Sequence, residues 1–404
     1  MPPLAESRHR WLPLAITLAI QAMVAAAVLA IPAVAPRVAG SLGISVTYVG
    51  LFVSVAYAAA ILASLASGTA TARYGSIRIS QVSLILCAAG LVLCTIPSPW
   101  TLALGAVLVG LGYGPITPAS SHLLARTTPV HRIALVFSVK QTGVPLGGVL
   151  AGALVPGLQA MVGWQAAVAC VAGLCVLCAC AAQSLRKRFD VDRDVSRRLA
   201  LGQLLEPVRL VMRHPPLRLL AVSSFLFAFA QVSLTAYAVT YLASDLRYGL
   251  VAAGAMFAVS QSGGVLGRVW WGYVSDRWLG ARRMLVVLGA LMSACALATA
   301  SLQPALPTVL VGGVLFVFGA SAIGWNGVYL SEVARAAPAG QAGIATGGTL
   351  AITFLGNVLG PAVFGAIAGL FGSYRAGFLA VALIVALCAV ALGRSRRAVG
   401  VPRA

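Results

Sequence analysis

Residues 133–156 read IALVFSVKQTGVPLGGVLAGALVP, an apolar run punctuated by glycines and broken by one ionisable side chain, Lys140. As a helix rising ~1.5 Å per residue, a run of this length crosses the ~30 Å hydrocarbon layer of a bilayer, which takes about 20 apolar residues. Eleven similar runs surround it, near 12–35, 48–70, 79–97, 101–125, 165–183, 216–243, 250–273, 284–303, 308–332, 343–370 and 376–393. Strands are a poor reading, because the ~10-residue alternating pattern of a membrane barrel is absent. In lipid a helix also satisfies every backbone group within its own segment. The expected class is therefore an all-α polytopic membrane protein of twelve transmembrane helices. Composition points the same way, with 60% hydrophobic residues, 9% charged residues and a mean hydropathy of +0.97. A water-soluble globule carries roughly a quarter charged residues.

The charges orient the chain. With a cytoplasmic amino terminus, the external loops hold only Arg37, Arg247 and Arg375; Lys140 is buried, and the rest of the 28 Lys and Arg residues fall on the cytoplasmic side. That is the positive-inside arrangement. The net charge of +20 is then a topology signal, so a nucleic-acid partner is not expected and the partner surface is the lipid bilayer. The expected location is the bacterial inner membrane with both termini cytoplasmic. The first run follows Arg8, His9 and Arg10, but it is too long for a signal-peptide core and lacks a small-residue cleavage site, so it reads as the first helix. All eight cysteines fall inside the runs, and the Cys175–Cys178 pair has no second pair or histidines beside it, so no metal or cofactor is expected.

The chain divides into halves. Residues 1–183 and 216–393 each hold six runs and read as two pseudo-symmetric six-helix bundles, with a charged linker at 184–215 and a basic tail at 394–404. In the linker, Leu201, Leu204, Leu205, Val208, Val211 and Met212 recur at helical spacing opposite Gln203, Glu206, Arg209 and Arg213, which reads as an amphipathic helix on the inner leaflet, the bland alternative being a solvated tether. Gly143, Gly147 and Gly152 in the fifth run recur as Gly356, Gly360 and Gly365 in the eleventh, a constant offset of 213. LARTTP, ending at Pro129, is matched by VARAAP, ending at Pro338, which aligns Arg126 with Arg335; Gln21 likewise pairs with Gln231. Small residues four apart let helices approach closely, and parallel repeats are an architecture of alternating-access carriers.

The loop GRVWWGYVSDRWLGARR, residues 267–283, resembles the G-x-x-x-D-R-x-G-x-R-R signature of the major facilitator superfamily, through Gly272, Asp276, Arg277, Arg282 and Arg283, with the later glycine displaced by one to Gly280. The matching loop of the first half, GTATARYGSIR, keeps Gly68, Arg73, Gly75 and Arg78 but has Ala72 in place of the aspartate. The resemblance implies a twelve-helix carrier whose aspartate joins a charge network that latches the cytoplasmic side. Asp276 would work in that latch, and the first-half latch at Ala72 would be weakened. Glu332 and Arg335, three apart on one helix, are placed to join it. The gating set is thus Arg73, Arg126, Asp276, Arg277, Arg282, Arg283, Glu332 and Arg335. The bland reading of the arginines is that they anchor loops by the positive-inside rule.

Lys140 lies eight residues past Arg132, or roughly 12 Å along a helix. From there a lysine can snorkel to the surface, but intramembrane ionisable residues mostly face a cavity on a substrate or ion path. No Asp or Glu lies in any run except Glu332 at an end, so a substrate anion is the natural counter-ion. Gln21, Tyr57, Tyr113, Gln141, Gln231, Gln261, Trp325, Asn326 and Asn357 are the polar and aromatic residues expected to complete the pocket, although each alone is more often an interhelical hydrogen bond. His122, near the inner end of the fourth run, is read as a hydrogen-bonded surface histidine. The expected function is a monomeric secondary carrier, working by alternating access and taking a small organic or inorganic anion inward, similar in general pattern to cyanate, nitrate and organic-acid porters. With no mid-depth carboxylate to load, two modes of coupling stay open: a proton rides with the anion, or the protein equilibrates the solute without coupling. The alternative is drug or metabolite efflux, whose relatives carry G-P-x-x-G-G where this chain has GVPLGG at 143–148. An enzyme is not expected, because no metal or nucleophile constellation such as H-E-x-x-H is present.

Overall fold

Long apolar runs separated by short glycine- and proline-bearing turns fold as helices throughout. The computed structural model describes residues 11–127, 136, 139–191, 206–338 and 342–394, and it contains no strand among them. Its α-helices are α1 (Leu12–Ala33), α2 (Ala35–Leu42), α3 (Val49–Tyr74), α4 (Ser76–Cys94), α5 (Pro99–Tyr113), α6 (Ile116–Thr127), α7 (Gly143–Val162), α8 (Trp164–Phe189), α9 (Glu206–Arg213), α10 (Pro215–Ser244), α11 (Leu250–Val274), α12 (Ala281–Ala300), α13 (Thr308–Gly324), α14 (Asn326–Ala336), α15 (Ala342–Phe371) and α16 (Tyr374–Arg394). Among the described residues, eleven helical stretches are long and apolar enough to cross a membrane, and a shorter apolar stretch, Gly50–Ser64 within α3, brings the set to the twelve expected. Proline opens α1, α5 and α10, where no hydrogen-bond donor is needed.

The helices form two compact units, the first comprising Met1–Gln203 and Gly249–Ala258, the second Leu204–Tyr248 and Val259–Ala404. In the first unit α1 packs on α7, and α4 on α5 and α8; in the second α10 packs on α15, and α12 on α13 and α16. The same helix pairing therefore recurs in each half, and the repeated glycines show why. A Cβ on Gly143 would lie 2.9 Å from Gln21 Cβ, and one on Gly147 would strike Ala22 and Ala25 of α1. Their counterparts Gly356 and Gly360 sit equally close to Phe225 and Phe229 of α10.

Three features differ from the sequence reading. Helix α8 runs beyond the expected boundary at 183, through Arg186, Lys187 and Arg188, to Phe189. Of the amphipathic linker helix, α9 is present, while 192–205 lies outside the described residues, as does the tail from 395. Val211 of α9 is fully buried, and Pro207 and Val211 pack on Gly348 of α15, while Met212 stays exposed, so the apolar face rests on protein at Val211. Finally, the runs at 101–125 and 308–332 are each interrupted: α5 gives way to α6 at Gly114–Pro115, and α13 to α14 at Trp325. Pro115 lacks the N–H that continuous helix requires.

Candidate functional site

The two interruptions occupy corresponding places in the two repeats, and each is a local gap in one continuous span, since Gly114 (φ −54°, ψ −47°) and Trp325 (φ −69°, ψ −22°) keep right-handed helical angles. In the first unit Tyr113 closes α5 at the break, its ring edge-on to Tyr57 of α3 at 5.7 Å. Just past the break, Thr117 Oγ1 donates to Gln21 Oε1 of α1 at 3.4 Å. In the second unit Trp325 is the break itself; its indole N–H donates to Gln231 Oε1 of α10 at 3.0 Å, and Asn326 Nδ2 reaches the same oxygen at 3.5 Å. The glutamines paired by sequence thus play matching parts, each accepting from residues at the broken helix. Trp325 is packed rather than open, edge-on to Phe227 and Tyr329 at 5.6 and 5.2 Å.

Lys140 stands on the short helical stretch before α7, with Nζ 3.5 Å from Gln141 Oε1. Its 1% exposure is not that of a lysine snorkelling to water. Gln261 of α11 is 2% exposed and Gln21 1%, and the Nε2 of each is buried without a hydrogen-bond partner. Gln261 and Asn357, both buried in the second unit, do not join the Gln231, Trp325 and Asn326 set. An apolar cavity of about 290 Å³ in the first unit, lined by Tyr48, Leu51, Phe52 and Leu102 among others, contains none of these residues.

One cation expected at the surface lies deeper. Arg268, in α11 eight residues before Asp276, donates from Nε to the carbonyl of Ile323 at 3.1 Å, and Asn326 Nδ2 approaches that carbonyl at 3.5 Å. Trp271 Nε1 donates to Ala320 O at 2.7 Å beside it. A guanidinium at the C-terminal end of α13 meets the negative end of a helix dipole, which offsets the interruption at Trp325. The signal was available: Arg268 stands as far from Asp276 as Lys140 from Arg132.

The gating residues gather at two loops. In the second unit Arg335 Nη2 and Asp276 Oδ1 form an exposed ion pair of 3.9 Å, with Glu332 half-buried on the same helix as Arg335. The displaced glycine of the motif has a structural cause. Residues Ser275–Leu279 form a π-helical turn, and Gly280 N donates to Ser275 O at 2.8 Å, five residues back. In the first-half loop Gly75 N donates to Thr71 O at 2.8 Å, four residues back. A π-turn is how a helix absorbs one inserted residue. Arg277 and Arg283 are exposed and Arg282 half-buried around this turn.

The first-half loop, lacking the motif aspartate, takes a carboxylate from elsewhere. Asp190, just past α8, accepts from the amides of Ile77 and Arg78, both at 2.9 Å, at the start of α4. It packs against Gly75, whose φ of +96° favours glycine and whose missing Cβ leaves the carboxylate its room. His122 Nδ1 lies 3.2 Å from Ser76 Oγ beside this clamp. Arg73 lies 5.5 Å from the ring of Tyr74, while the side chain of Arg126 lies outside the described residues. At the opposite end of α10, Asp245 accepts from Ser373 Oγ at 3.2 Å, and Arg375 donates to Leu302 O at 2.8 Å. Burial pushes the Asp245 carboxyl up, against the hydrogen bond from Ser373 and the charge of Arg375.

The fold is shared with known carriers. A bacterial homologue of the human lysosomal transporter Spinster, in an inward-facing and occupied conformation, aligns with a TM-score of 0.75 at 16% identity over 96% of this chain and 98% of that one. The nucleoside transporter NupG aligns at 0.76 with 15% identity, over 94% and 99%. A POT family transporter in complex with 5-aminolevulinic acid aligns at 0.76 with 11% identity, over 95% and 96%. No curated protein matches the sequence. The family model described as Major Facilitator Superfamily matches residues 14–361, nearly the whole span of helices; the chain is a multi-pass membrane transporter and belongs to that superfamily.

Proposed function

We propose that the protein is a secondary carrier that takes a small organic or inorganic anion inward by alternating access, with Lys140 as the counter-charge. The observation that carries this reading is the burial of Lys140, at 1% exposure, in a chain with no mid-depth carboxylate. Burying a lysine in an apolar interior costs at least about 2.5 kcal/mol, and an anion that binds beside it offsets that cost. The orphaned amide N–H group of Gln21, in the same unit as Lys140, supports the same ligand, since a donor without an acceptor suits a carboxylate or an inorganic oxyanion. Gln141, Tyr57 and Tyr113 in one half, and Gln231, Trp325, Asn326 and Asn357 in the other, would orient it, with Arg268 positioning the Trp325 break.

The test is thermal stabilisation of purified protein by a panel of inorganic anions, mono- and dicarboxylates, sugars and cationic drugs, beside Lys140→Ala. A ligand present at about 100-fold its Kd stabilises the form it binds by about 2.7 kcal/mol. One anion should stabilise the parent and not the variant, and should then enter proteoliposomes loaded with parent protein. Equal stabilisation of both by neutral or cationic compounds would sink the proposal and favour export.

A further inference from the structure

The one-residue insertion in the second-half loop builds a surface that its counterpart lacks. In an α-helix, residues three or four apart share a face. The π-turn, closing over five residues, carries Trp278 onto the face of Tyr273, five positions earlier. Trp278 stands edge-on to Tyr273 with ring centroids 5.9 Å apart, and Tyr273 stands against Trp270 at 6.2 Å. Tyr273 thus stands between the two tryptophans, yet the rings remain 55% (Trp270), 55% (Tyr273) and 64% (Trp278) exposed.

The order of residues along this face follows the profile of a bilayer. Leu266 and Val269, both exposed, come first and suit hydrocarbon; the aromatic ladder follows; Arg277, exposed, comes last, and Arg283, also exposed, follows the turn in the first turn of α12. Tyr and Trp prefer the interface because one end of each is apolar and the other hydrogen-bonds. The charge at that end is lopsided. Asp276, the carboxylate of the loop, is paired with Arg335, while Arg277, Arg282 and Arg283 add three guanidiniums around it. Guanidinium suits phosphate through paired, charge-assisted hydrogen bonds.

We propose that this face is a docking site for an anionic phospholipid of the surrounding bilayer, its acyl chains lying along Leu266, Val269 and Trp270 and its phosphate held by Arg277 and Arg283. Trp278, the product of the insertion, covers the glycerol region.

The experiment releases the full-length protein from mixed phosphatidylglycerol and phosphatidylcholine vesicles and measures retained lipid by native mass spectrometry. The parent should retain phosphatidylglycerol several-fold over phosphatidylcholine. Arg277→Gln with Arg283→Gln, at exposed positions that leave the fold intact, should abolish that preference, and Trp278→Ala should lower retention of both lipids. Equal retention of the two lipids by the parent, or unchanged preference in the double variant, overturns the proposal. Inorganic phosphate raising the melting temperature of the parent as much as short-chain phosphatidylglycerol, with both effects lost in the double arginine variant, also overturns it, since the site would then be one for free phosphate.

Discussion

Asp190 ties the end of α8 to the first turn of α4 through two backbone amides, so its loss leaves buried donors without acceptors. Asp190→Ala should lower stability by about 1–3 kcal/mol, and Asp190→Asn by less, measured as melting temperature in detergent. Asp245 makes a contrasting case. Its carboxyl is raised from the ordinary value of 3.8, so the folded protein holds that proton more tightly than the unfolded chain. Its contribution is therefore fully present below that ordinary value and is lost as pH rises through the raised one. Asp245→Asn should flatten the fall in melting temperature over that interval, and an unchanged pH profile would count against the assignment. The two aspartates also differ from Asp276 in how far sequence reveals them. Asp276 stands inside a spaced motif, and Arg335, three residues past Glu332 at the inner end of its helix, is placed to join it. Asp190 answers to amides 112 and 113 residues away, and backbone amides leave no trace in the identity of side chains. Arg268 carried a depth signal in its eight-residue distance from Asp276, but the positive-inside rule counts arginines near a helix end without asking how deep each one sits.

Among the elements, the interrupted helices approach their neighbours closely. Gly110 and Gly114 lie against Ala56 and Ala60 of α3, and Gly319 lies against the backbone of Ser260 in α11. Gly313, on the same helix as Gly319, has nothing near its missing Cβ. Gly313→Ala should be neutral or stabilising by up to about 1 kcal/mol, the ordinary helical preference for alanine. Gly319→Ala should be destabilising despite that preference, because backbone cannot yield as a side chain can; melting temperatures of the pair separate the two effects. The interruption at Gly114–Pro115 was legible as a dipeptide that punctuates helices. The one at Trp325 was not, since Gly324 and Trp325 are both compatible with a continuous apolar helix and the stabilising guanidinium comes from another helix. The π-turn was visible only as a glycine one place out of register.

At the level of the whole molecule, twelve spans and the internal repeat were readable from hydropathy and from glycines held in register, because both are consequences of lipid and of close packing. The polar residues were harder, since a glutamine satisfied by a neighbouring helix and one awaiting a ligand look alike in sequence. The gate belongs to this scale. The Asp276–Arg335 pair is exposed on both sides, so Asp276→Asn or Arg335→Gln should change stability by less than about 1 kcal/mol. If the pair biases the transport cycle, each change should still alter uptake into proteoliposomes, and the reversal Asp276→Arg with Arg335→Asp should restore it; uptake untouched by all three would make the pair a loop anchor. Burial of Lys140 has an electrical consequence as well. If Lys140 lines the transport cavity as proposed, the carrier reorients as a neutral body when it holds a monovalent anion and with one added positive charge when empty. Membrane voltage then acts on the empty form alone, by at most about 2.3 kcal/mol per 100 mV if the charge crossed the whole field. Exchange of anion for anion should be indifferent to a potassium–valinomycin potential, whereas net uptake should slow when the interior is negative, because the unloaded lysine must return outward against the field.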